Sequence, residues 1–454
     1  MSKLSKLMTK PDKFFIDMVK KRSEKKEKLV TSTNKMILSK ENQQKSNMNK
    51  AHSKPATITP KQPPVTIATK KAPVTMIIDN MRLFNKTAHL LHSGEGVNCS
   101  FHLELWVGEF IASGEKFAIL LRNIELYKWA ISKYPYLDIV YAKTALDVEN
   151  VLTKLPYLKA IYYFSNTGNL IHSLRFNIYQ HIFLGHGDSD KAASAHKFFR
   201  VYDEIWVAGQ AHIDRFKNAG FSVNHIKFVK VGRPNLKQIV KRSVEKKDRI
   251  QSVQNLTYFP TWEGAFEENN YSSAHLSIIT LSEIQRKLNC NIQAKYHPLT
   301  GQRDKTLLQV YSSLEREFLD RPYMLNISDK TTPVENLINN SNAFVCDISA
   351  VVSECISALA PIFIYIPADR KIVTSSSDMQ YSDYAYVYSS VPELLELVDK
   401  VLIDGNDYLA NARFKALDYL LSIEETVNDE FQNQLKRLNN SESFKENFRE
   451  LAIQ

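Results

Sequence analysis

The chain is organised around the stretch Gln180-His-Ile-Phe-Leu-Gly-His-Gly-Asp-Ser-Asp-Lys191. Its apolar run at 182–184 predicts a buried strand, and His186 follows directly between two glycines. We predict that a helix begins at the small residues 192–195. A strand that presents an imidazole and then leads into a helix is typical of the ligand-binding edge of an α/β sheet. The stretch taken alone fits a flexible turn equally well.

Length and charge divide the chain into unequal parts. With 454 residues it exceeds the roughly 250–300 residues at which single cores stop growing, so more than one domain is expected. The net charge of +10 comes from one end, because residues 1–74 hold 18 Lys/Arg against 5 Asp/Glu. The remainder holds 41 basic and 44 acidic side chains. The basicity therefore says nothing about a pocket, and we expect no nucleic-acid partner.

The cysteines and the hydropathy exclude several classes of protein. Four cysteines are present without a C-x-x-C pair, which predicts neither a zinc site nor a disulfide framework. A reduced, cytoplasmic setting fits this usage. The sequence has no apolar run of 18 or more residues and no secretory-signal pattern at its beginning.

The N-terminal extension, residues 1–73, has two parts. In residues 1–30 apolar side chains recur at helical spacing among many lysines. A basic amphipathic helix of this kind suits an anionic membrane surface, where each basic side chain contributes roughly 1 kcal/mol. A solvated tail, or a helix that docks on a partner, is an equal alternative. Residues 31–73 are rich in Pro, Ser, Thr and Lys and predict an extended linker.

From residue 74 onward, short apolar runs alternate with amphipathic segments, which predicts parallel sheets covered on both faces. Predicted strands of the first set lie at 74–79, 117–121, 138–141, 160–164, 181–184, 204–207 and 226–229. Those of the second set lie at 256–259, 291–294, 343–346 and 361–365. The expected architecture is α/β, with two doubly wound, Rossmann-like domains, 74–236 and 237–454, that face each other across a cleft.

The segment from Asp347 to Glu354 carries the clearest physical signal in the second half. A strand ends at Asp347, and a helix begins with the small residues Ser349 and Ala350. Free backbone N–H groups and the helix dipole favour a phosphate there, and Glu354 is placed for ribose hydroxyls. An ordinary capped core helix is the alternative. Another strand ends in Lys295 and His297, which offer cationic or donating groups to the same phosphates.

Five elements in order resemble the CDP-glycerol glycerophosphotransferase family of teichoic acid and capsule synthesis. The resemblance covers roughly residues 160–370, and each element is weak by itself. The elements are His186-Gly-Asp-Ser-Asp-Lys191, Gly232-Arg-Pro234, Pro260-Thr-Trp262, His297-Pro298 and Asp347-Ile-Ser-Ala350 through Glu354. The resemblance implies a GT-B-type fold and the transfer of a phosphoglycerol-type group from a CDP-activated donor to a hydroxyl, with release of CMP.

The resemblance also implies roles for individual residues. His186 would be the general base on the acceptor. The donor's phosphates and ribose would be held by Thr261, Lys295, His297, Asp347, Ser349, Ala350 and Glu354. The acceptor side of the cleft would comprise Gly187, Asp188, Ser189, Asp190, Lys191 and Arg233. No cofactor is implied, because the CDP-linked donor is a substrate.

Several positions depart from the family pattern, and one of them is Ala350, which replaces one of the family's paired serines. Asp188 and Asp190 stand where the family has uncharged residues, and Glu263 stands where it has a basic residue. These changes are expected to select a different acceptor, and they leave the donor's polyol open. The two aspartates have D-x-D spacing but lead a predicted helix, so a metal is not expected there.

The sequence therefore predicts a cytoplasmic transferase of the cell-envelope class, peripheral on the inner face of the membrane. Its partners would be a CDP-activated polyol donor, a polymer, oligosaccharide or lipid-linked acceptor, and an anionic membrane surface. One alternative is a GT-B glycosyltransferase that uses a nucleotide sugar. The other is a non-enzymatic, membrane-docking interaction protein.

Overall fold

The computed structural model describes residues 74–78, 82, 86–187, 189–191, 194–245, 253–372, 374 and 377–440. The predicted basic extension and linker, Asp188, and the start of the helix predicted at 192–195 lie outside these residues. Within the described ranges, no helix is both long and apolar enough to cross a bilayer. The membrane interpretation of the extension stays a prediction.

The first half of the described chain forms an eight-stranded sheet in the order β1-β4-β3-β2-β5-β6-β7-β8. All neighbouring strands are parallel except β1 and β4, which run antiparallel. The strands are β1 Met76–Ile77, β2 His89–Ser93, β3 Phe117–Leu121, β4 Asp138–Ala142, β5 Ala160–Tyr163, β6 Gln180–Phe183, β7 Glu204–Val207 and β8 Lys227–Lys230.

The second half forms a six-stranded, fully parallel sheet in the order β11-β10-β9-β12-β13-β14. Its strands are β9 Asn255–Phe259, β10 Asn291–Ala294, β11 Leu325–Ile327, β12 Ala343–Asp347, β13 Ile362–Tyr365 and β14 Tyr386–Tyr388. Apart from the antiparallel edge strand β1, each sheet starts in the middle, at β2 or β9, extends to one side and then crosses to the other, which is the Rossmann order. The predicted pair of doubly wound sheets is confirmed.

Helices cover both faces of the sheets and bury the apolar side chains of the strands. In the first half they are α1 Ser100–Ser113, α2 Ile124–Lys133, α3 Ala145–Leu152, α4 Ile171–Leu174 and α5 Gln210–Asn218, and the next helix, α6 Lys237–Glu245, packs in the core of the second half. In the second half they are α7 Ser277–Leu288, α8 Val310–Glu317, α9 Val334–Asn339, α10 Ala350–Cys355, α11 Val391–Val398, α12 Ala410–Leu421, α13 Ile423–Val427 and α14 Glu430–Asn440.

The sequence prediction missed the central strand of the first sheet, β2. Its two histidines argue against a buried strand, yet both are buried because each finds a polar partner in the core. The His89 Nδ1 lies 2.9 Å from the Tyr162 hydroxyl, and the His92 Nδ1 lies 2.8 Å from the Ser173 hydroxyl. Burial lowers the pKa of His89 to about 3, so its ring is neutral at pH 7. The short strands β11 and β14 were also missed.

The helix predicted at 192–195 is not seen in its described part. Ser194 and Ala195 are not α-helical, and the next described helical segment is a 3₁₀ helix at Lys197–Val201. His186 therefore lies after a strand, as predicted, but Ser194 and Ala195 do not continue into the expected α-helix.

The last described helix, α14, packs on the first sheet rather than the second. Phe431, Leu435 and Leu438 share one stripe of the helix and lie in the core that contains Trp106 and Phe110 of α1. The sequence prediction had assigned all residues from 237 to the second domain. The chain instead returns to the first half at α14, because the apolar stripe of this helix packs against the core of the first sheet.

Candidate active site

A cavity of about 820 Å³ lies between the two sheets, next to the switch point of each. A switch point is the place where the strand order reverses, here between β2 and β5 and between β9 and β12. Ligands of doubly wound sheets bind at the carboxyl ends of the strands beside it. The cavity lies at these ends, and both halves contribute to its lining.

His186 follows β6 in a tight turn that glycine makes possible. Gly185 has φ +68° and Gly187 has φ +156°, values that L side chains rarely adopt. The Trp106 indole donates a hydrogen bond to the Gly185 carbonyl at 2.7 Å and holds the turn. A Cβ on Gly187 would lie 2.7 Å from the Ala350 Cβ in the second half. The glycine therefore permits both the turn and the close approach of the two halves.

The His186 ring is held in one tautomer. Its Nδ1 lies 2.8 Å from the Phe164 carbonyl, which only accepts, so Nδ1 carries the proton and Nε2 has a free lone pair. The ring faces the cavity and is exposed there, but the walls of the cavity surround it and keep most of the bulk water away. This burial, followed by the neighbouring His102, lowers the pKa of His186 to about 4. His186 is thus a neutral acceptor of protons at pH 7.

His297 has the opposite tautomer. The Leu299 backbone N–H donates to its Nδ1 at 3.1 Å, so the neutral ring carries its proton on Nε2. Burial, followed by the charge of Lys191, lowers the pKa of His297 to about 4. The Trp262 ring stacks against it with centroids 6.1 Å apart. Two neutral histidines therefore border one cavity, one as a proton acceptor and the other as a hydrogen-bond donor.

Lys191 extends from the first half into the second. Its Nζ donates to the Thr261 hydroxyl at 2.9 Å and lies 5.2 Å from the centre of the Tyr271 ring. Burial lowers its pKa to about 8, against the opposing effect of Asp347. Lys295 borders the same cavity, with its Nζ donating to the carbonyls of Asp329 and Lys330. These ammonium groups give this wall a positive charge.

Asp347 supports the wall from behind and does not border the cavity. It is fully buried, and its Oδ2 accepts the backbone N–H of Thr261 at 2.7 Å and of Ser273 at 3.0 Å. Burial raises the pKa of this carboxyl to about 7. Ser349, by contrast, borders the cavity with a buried hydroxyl that has no hydrogen-bond partner among the residues that the structure describes.

Glu263 organises the loop after His297 instead of facing an acceptor. It is buried, and its carboxylate accepts the backbone N–H groups of Gly301, Arg303 and Asp304 at 2.9–3.1 Å. The expectation that this position selects the acceptor is not supported by its burial. The carboxylate is explained by the three donors that it satisfies.

Most of the predicted site residues meet at the cavity. They are Gly187, Ser189, Lys191, Thr261, Lys295, His297, Ser349, Ala350 and Glu354, together with His186. Arg233 and Asp190 do not border it. The backbone N–H of the buried Arg233 donates to the Thr426 hydroxyl at 2.9 Å.

Asp190 pairs with a buried arginine and does not add a carboxylate to the cavity beside His186. Its Oδ1 lies 2.8 Å from the Arg215 Nε, and both side chains are almost inaccessible to solvent. The prediction of two extra carboxylates in the cleft is therefore wrong for Asp190. A D-x-D metal site at this turn loses one of its two ligands for the same reason.

Replacing Asp190 with alanine should destabilise the protein. Removing one partner of a buried pair leaves an uncompensated charge, which costs about 3–5 kcal/mol. Glu149→Ala is the matched control, because the Glu149–Arg175 pair is exposed and such pairs contribute about 0–1 kcal/mol. Urea unfolding of both variants measures the difference. Equal effects would show that the Asp190–Arg215 pair is not important for stability.

Sequence reasoning missed two residues that lie behind His186, Glu95 and His102. Glu95 follows the missed strand β2, and His102 lies in the first turn of α1. The His102 Nδ1 donates to both carboxylate oxygens of Glu95 at 2.9 and 3.0 Å. Its ring stacks on that of His186, with centroids 3.6 Å apart and planes 12° from parallel. The sequence signal for Glu95 was the Ser-Gly-Glu-Gly segment at 93–96. This segment predicts a polar strand end only when β2 has been recognised as the strand before it.

Among the residues that the structure describes, Glu95, Cys99 and His102 form one group with atoms close enough to hold a metal ion, all within 4.8 Å. The Glu95 carboxylate and the His102 Nδ1 already satisfy each other by hydrogen bonds. Burial and the adjacent carboxylate raise the pKa of the Cys99 thiol to about 11, which disfavours the thiolate that a metal requires. The geometry therefore fits a hydrogen-bonded pair better than a metal centre.

Neither the models of protein families nor the curated proteins contain a match to this sequence. Solved structures do match. A variant of the wall teichoic acid polymerase TagF is 12% identical, with a TM-score of 0.51, over 82% of this chain and 92% of that chain. Another TagF structure matches at 12% identity with a TM-score of 0.50, over 80% of this chain and 91% of that chain. The likeness confirms the GT-B-type fold that the motifs implied, and at this identity it concerns the fold.

Proposed function

We propose that the protein transfers a glycerol-phosphate or similar polyol-phosphate unit from a CDP-activated donor to a hydroxyl group and releases CMP. The observation that carries the proposal is the pair of neutral histidines with opposite tautomers on one cavity. His186 offers a lone pair to the acceptor's proton, and His297 offers an N–H to the donor's phosphates. The resemblance in five motifs and the similarity to TagF in fold support this choice of reaction.

The proposed step uses the residues as they stand. The acceptor oxygen attacks the β-phosphorus of the donor while His186 Nε2 takes the hydroxyl proton. A new P–O bond forms, the bond from the β-phosphorus to the bridging oxygen breaks, and CMP leaves with the electron pair. Charge that develops on the phosphates is stabilised by Lys191, by His297 and by the unpartnered hydroxyl of Ser349. Glu354, one turn into α10, borders the same cavity and would bind the ribose hydroxyls.

A GT-B glycosyltransferase that uses a nucleotide sugar is the second candidate, because the same basic wall would hold any nucleoside diphosphate. A panel of CDP, CDP-glycerol, CDP-ribitol and UDP-sugars in thermal unfolding separates the two. A ligand at 100 times its dissociation constant stabilises the folded state by about 2.7 kcal/mol. We expect the cytidine compounds to raise the melting temperature. A shift with UDP-sugars alone would favour the glycosyltransferase, and no shift at all would favour a non-enzymatic protein.

We further propose that the acceptor belongs to the cell envelope and that residues 1–30 bring the enzyme to the inner face of the membrane. The support is the helical spacing of their apolar side chains among many lysines. Deletion of residues 1–30 should release the protein from anionic vesicles in a sedimentation assay and leave the melting temperature unchanged. Equal sedimentation of the full chain and the deletion variant would contradict the membrane role.

A further inference from the structure

Glu95, His102 and His186 form a connected series on the acceptor side of the cavity. The carboxylate of Glu95 binds His102 through both oxygens, and the face of the His102 ring lies on the face of His186. On its other side, His186 is tied to the Phe164 carbonyl at the end of β5. The imidazole is therefore restrained both within its plane and perpendicular to it.

The backbone around Glu95 is built for this placement. Gly94 directly follows β2, and a Cβ there would lie 2.0 Å from both Asn169 Oδ1 and Thr167 Oγ1. The backbone can run this close to Thr167 and Asn169 only because Gly94 has no side chain. This path brings the Glu95 carboxylate to His102 in the first turn of α1. The His102 ring is buried, so solvent does not easily displace it from its place between Glu95 and His186.

We propose that Glu95 and His102 are positioning residues for His186: the carboxylate orients the His102 ring, and the stacked ring keeps Nε2 of His186 directed at the acceptor. The chemical part of this inference rests on the proposed function, whereas the orientation of the ring does not. Neither residue exchanges a proton with His186, because the rings meet by their faces and not by their nitrogens. The effect is one of orientation and of local charge.

The charged and titratable groups that act on His186 come from four elements. His102 of α1 and Arg233, which follows β8, lower the pKa of His186, whereas Glu95, which follows β2, raises it. His297, which follows β10, is electrostatically coupled to His186 across the cavity. Removal of His102 should therefore both loosen the ring and raise the pKa of His186.

Nitrogen-15 NMR of histidine-labelled full-length protein tests the proposal without substrate, with His186→Asn used to assign the signal. In the unsubstituted protein we expect His186 with its proton on Nδ1. His102→Ala should let the His186 ring turn away from the Phe164 carbonyl, which populates the other tautomer, and should raise the pKa of His186. His102→Phe should restore the tautomer, because it keeps a stacked ring, but not the low pKa. Glu95→Ala should resemble His102→Ala in tautomer.

Kinetics give a second readout. His102→Ala should lower kcat by about 100-fold, the loss that a 1 Å misplacement of a reacting group produces, without raising the donor KM. Ile111→Ala, an exposed position on the same helix, is the control for loss of helix stability and should change neither kcat nor the His186 signal. Partial recovery of kcat in His102→Phe would support positioning by stacking.

Several results would overturn the proposal. One is an unchanged tautomer and pKa of His186 in a folded His102→Ala variant. Another is a donor KM that rises as much as kcat falls. A third is a stoichiometric metal ion that is lost in Cys99→Ser, because the metal would then hold His102. If the unsubstituted protein releases no CMP from CDP-glycerol, the proposed function fails, but the NMR result still decides the positioning role.

Discussion

Replacing His186 with alanine is expected to lower kcat for transfer by about 10²–10⁴-fold, the usual contribution of a positioned general base. The lone pair on Nε2 is lost, and no other described residue places an equivalent acceptor at the end of β6. The cleft remains formed, because the turn is held by backbone groups of Gly185 and by Trp106. The affinity for CDP should therefore stay near that of the unsubstituted protein.

Turnover of CDP-glycerol measures the expected loss of kcat, and the thermal shift with CDP measures the expected retention of CDP affinity. His225→Ala is the matched control, because this histidine is exposed, lies outside the cavity and donates to the Arg200 carbonyl. Near-normal turnover in His186→Ala would remove the general base from the account. Loss of CDP binding together with turnover would instead assign His186 to the donor site.

The pH dependence follows from the same residue. His186, the proposed base, can accept a proton only when neutral, and in the empty cavity its pKa is about 4. The acid limb of kcat/KM, which reports the free enzyme, should therefore fall near pH 4. A bound pyrophosphate brings negative charge and raises the pKa of a nearby histidine. The acid limb of kcat should consequently lie at higher pH than that of kcat/KM.

Replacing Lys191 with methionine is expected to lower kcat/KM by about 10²–10³-fold, the loss typical of one group that stabilises transition-state charge. Methionine keeps much of the packing against Tyr271 but removes the ammonium that reaches Thr261. In the empty cavity the pKa of Lys191 is about 8, so the ammonium is lost as the pH rises through 8. The donor KM of the unsubstituted protein should rise over that range.

Lys128→Met is the control for the loss of one positive charge, because Lys128 is exposed and pairs with Glu125 on the surface of α2. The Lys191→Met variant should also lose the rise of the donor KM with pH. Two outcomes contradict the role of Lys191: a kcat/KM close to that of Lys128→Met, or an unchanged pH dependence of the donor KM.

The strands that carry the site were predictable because each combines an apolar run with a polar end. β6, β9, β10 and β12 lie within a residue or two of their predicted positions, and their carboxyl ends meet at the cavity as parallel sheets require. β2 was not predictable from its pattern, since burial of its two histidines depends on Tyr162 and Ser173, which come from distant segments.

The directions in which individual side chains point could not be predicted from the sequence. Asp190 and His186 are four residues apart, yet one side chain turns to a buried arginine and the other to the cavity. The choice depends on Arg215 in α5, which no local pattern reveals. The opposite tautomers of His186 and His297 likewise depend on one carbonyl and one backbone N–H. The pairing of Glu95 with His102 requires β2 and α1 to be placed first.

The most direct test of the central claim is to identify the nucleotide that is released when the full-length protein acts on CDP-glycerol in the presence of a lipid-linked oligosaccharide. Attack on the β-phosphorus predicts CMP and an acceptor whose mass has grown by a glycerol-phosphate unit, with both products lost in His186→Ala. Release of CDP instead, or formation of CMP at the same rate in His186→Ala, would contradict the account.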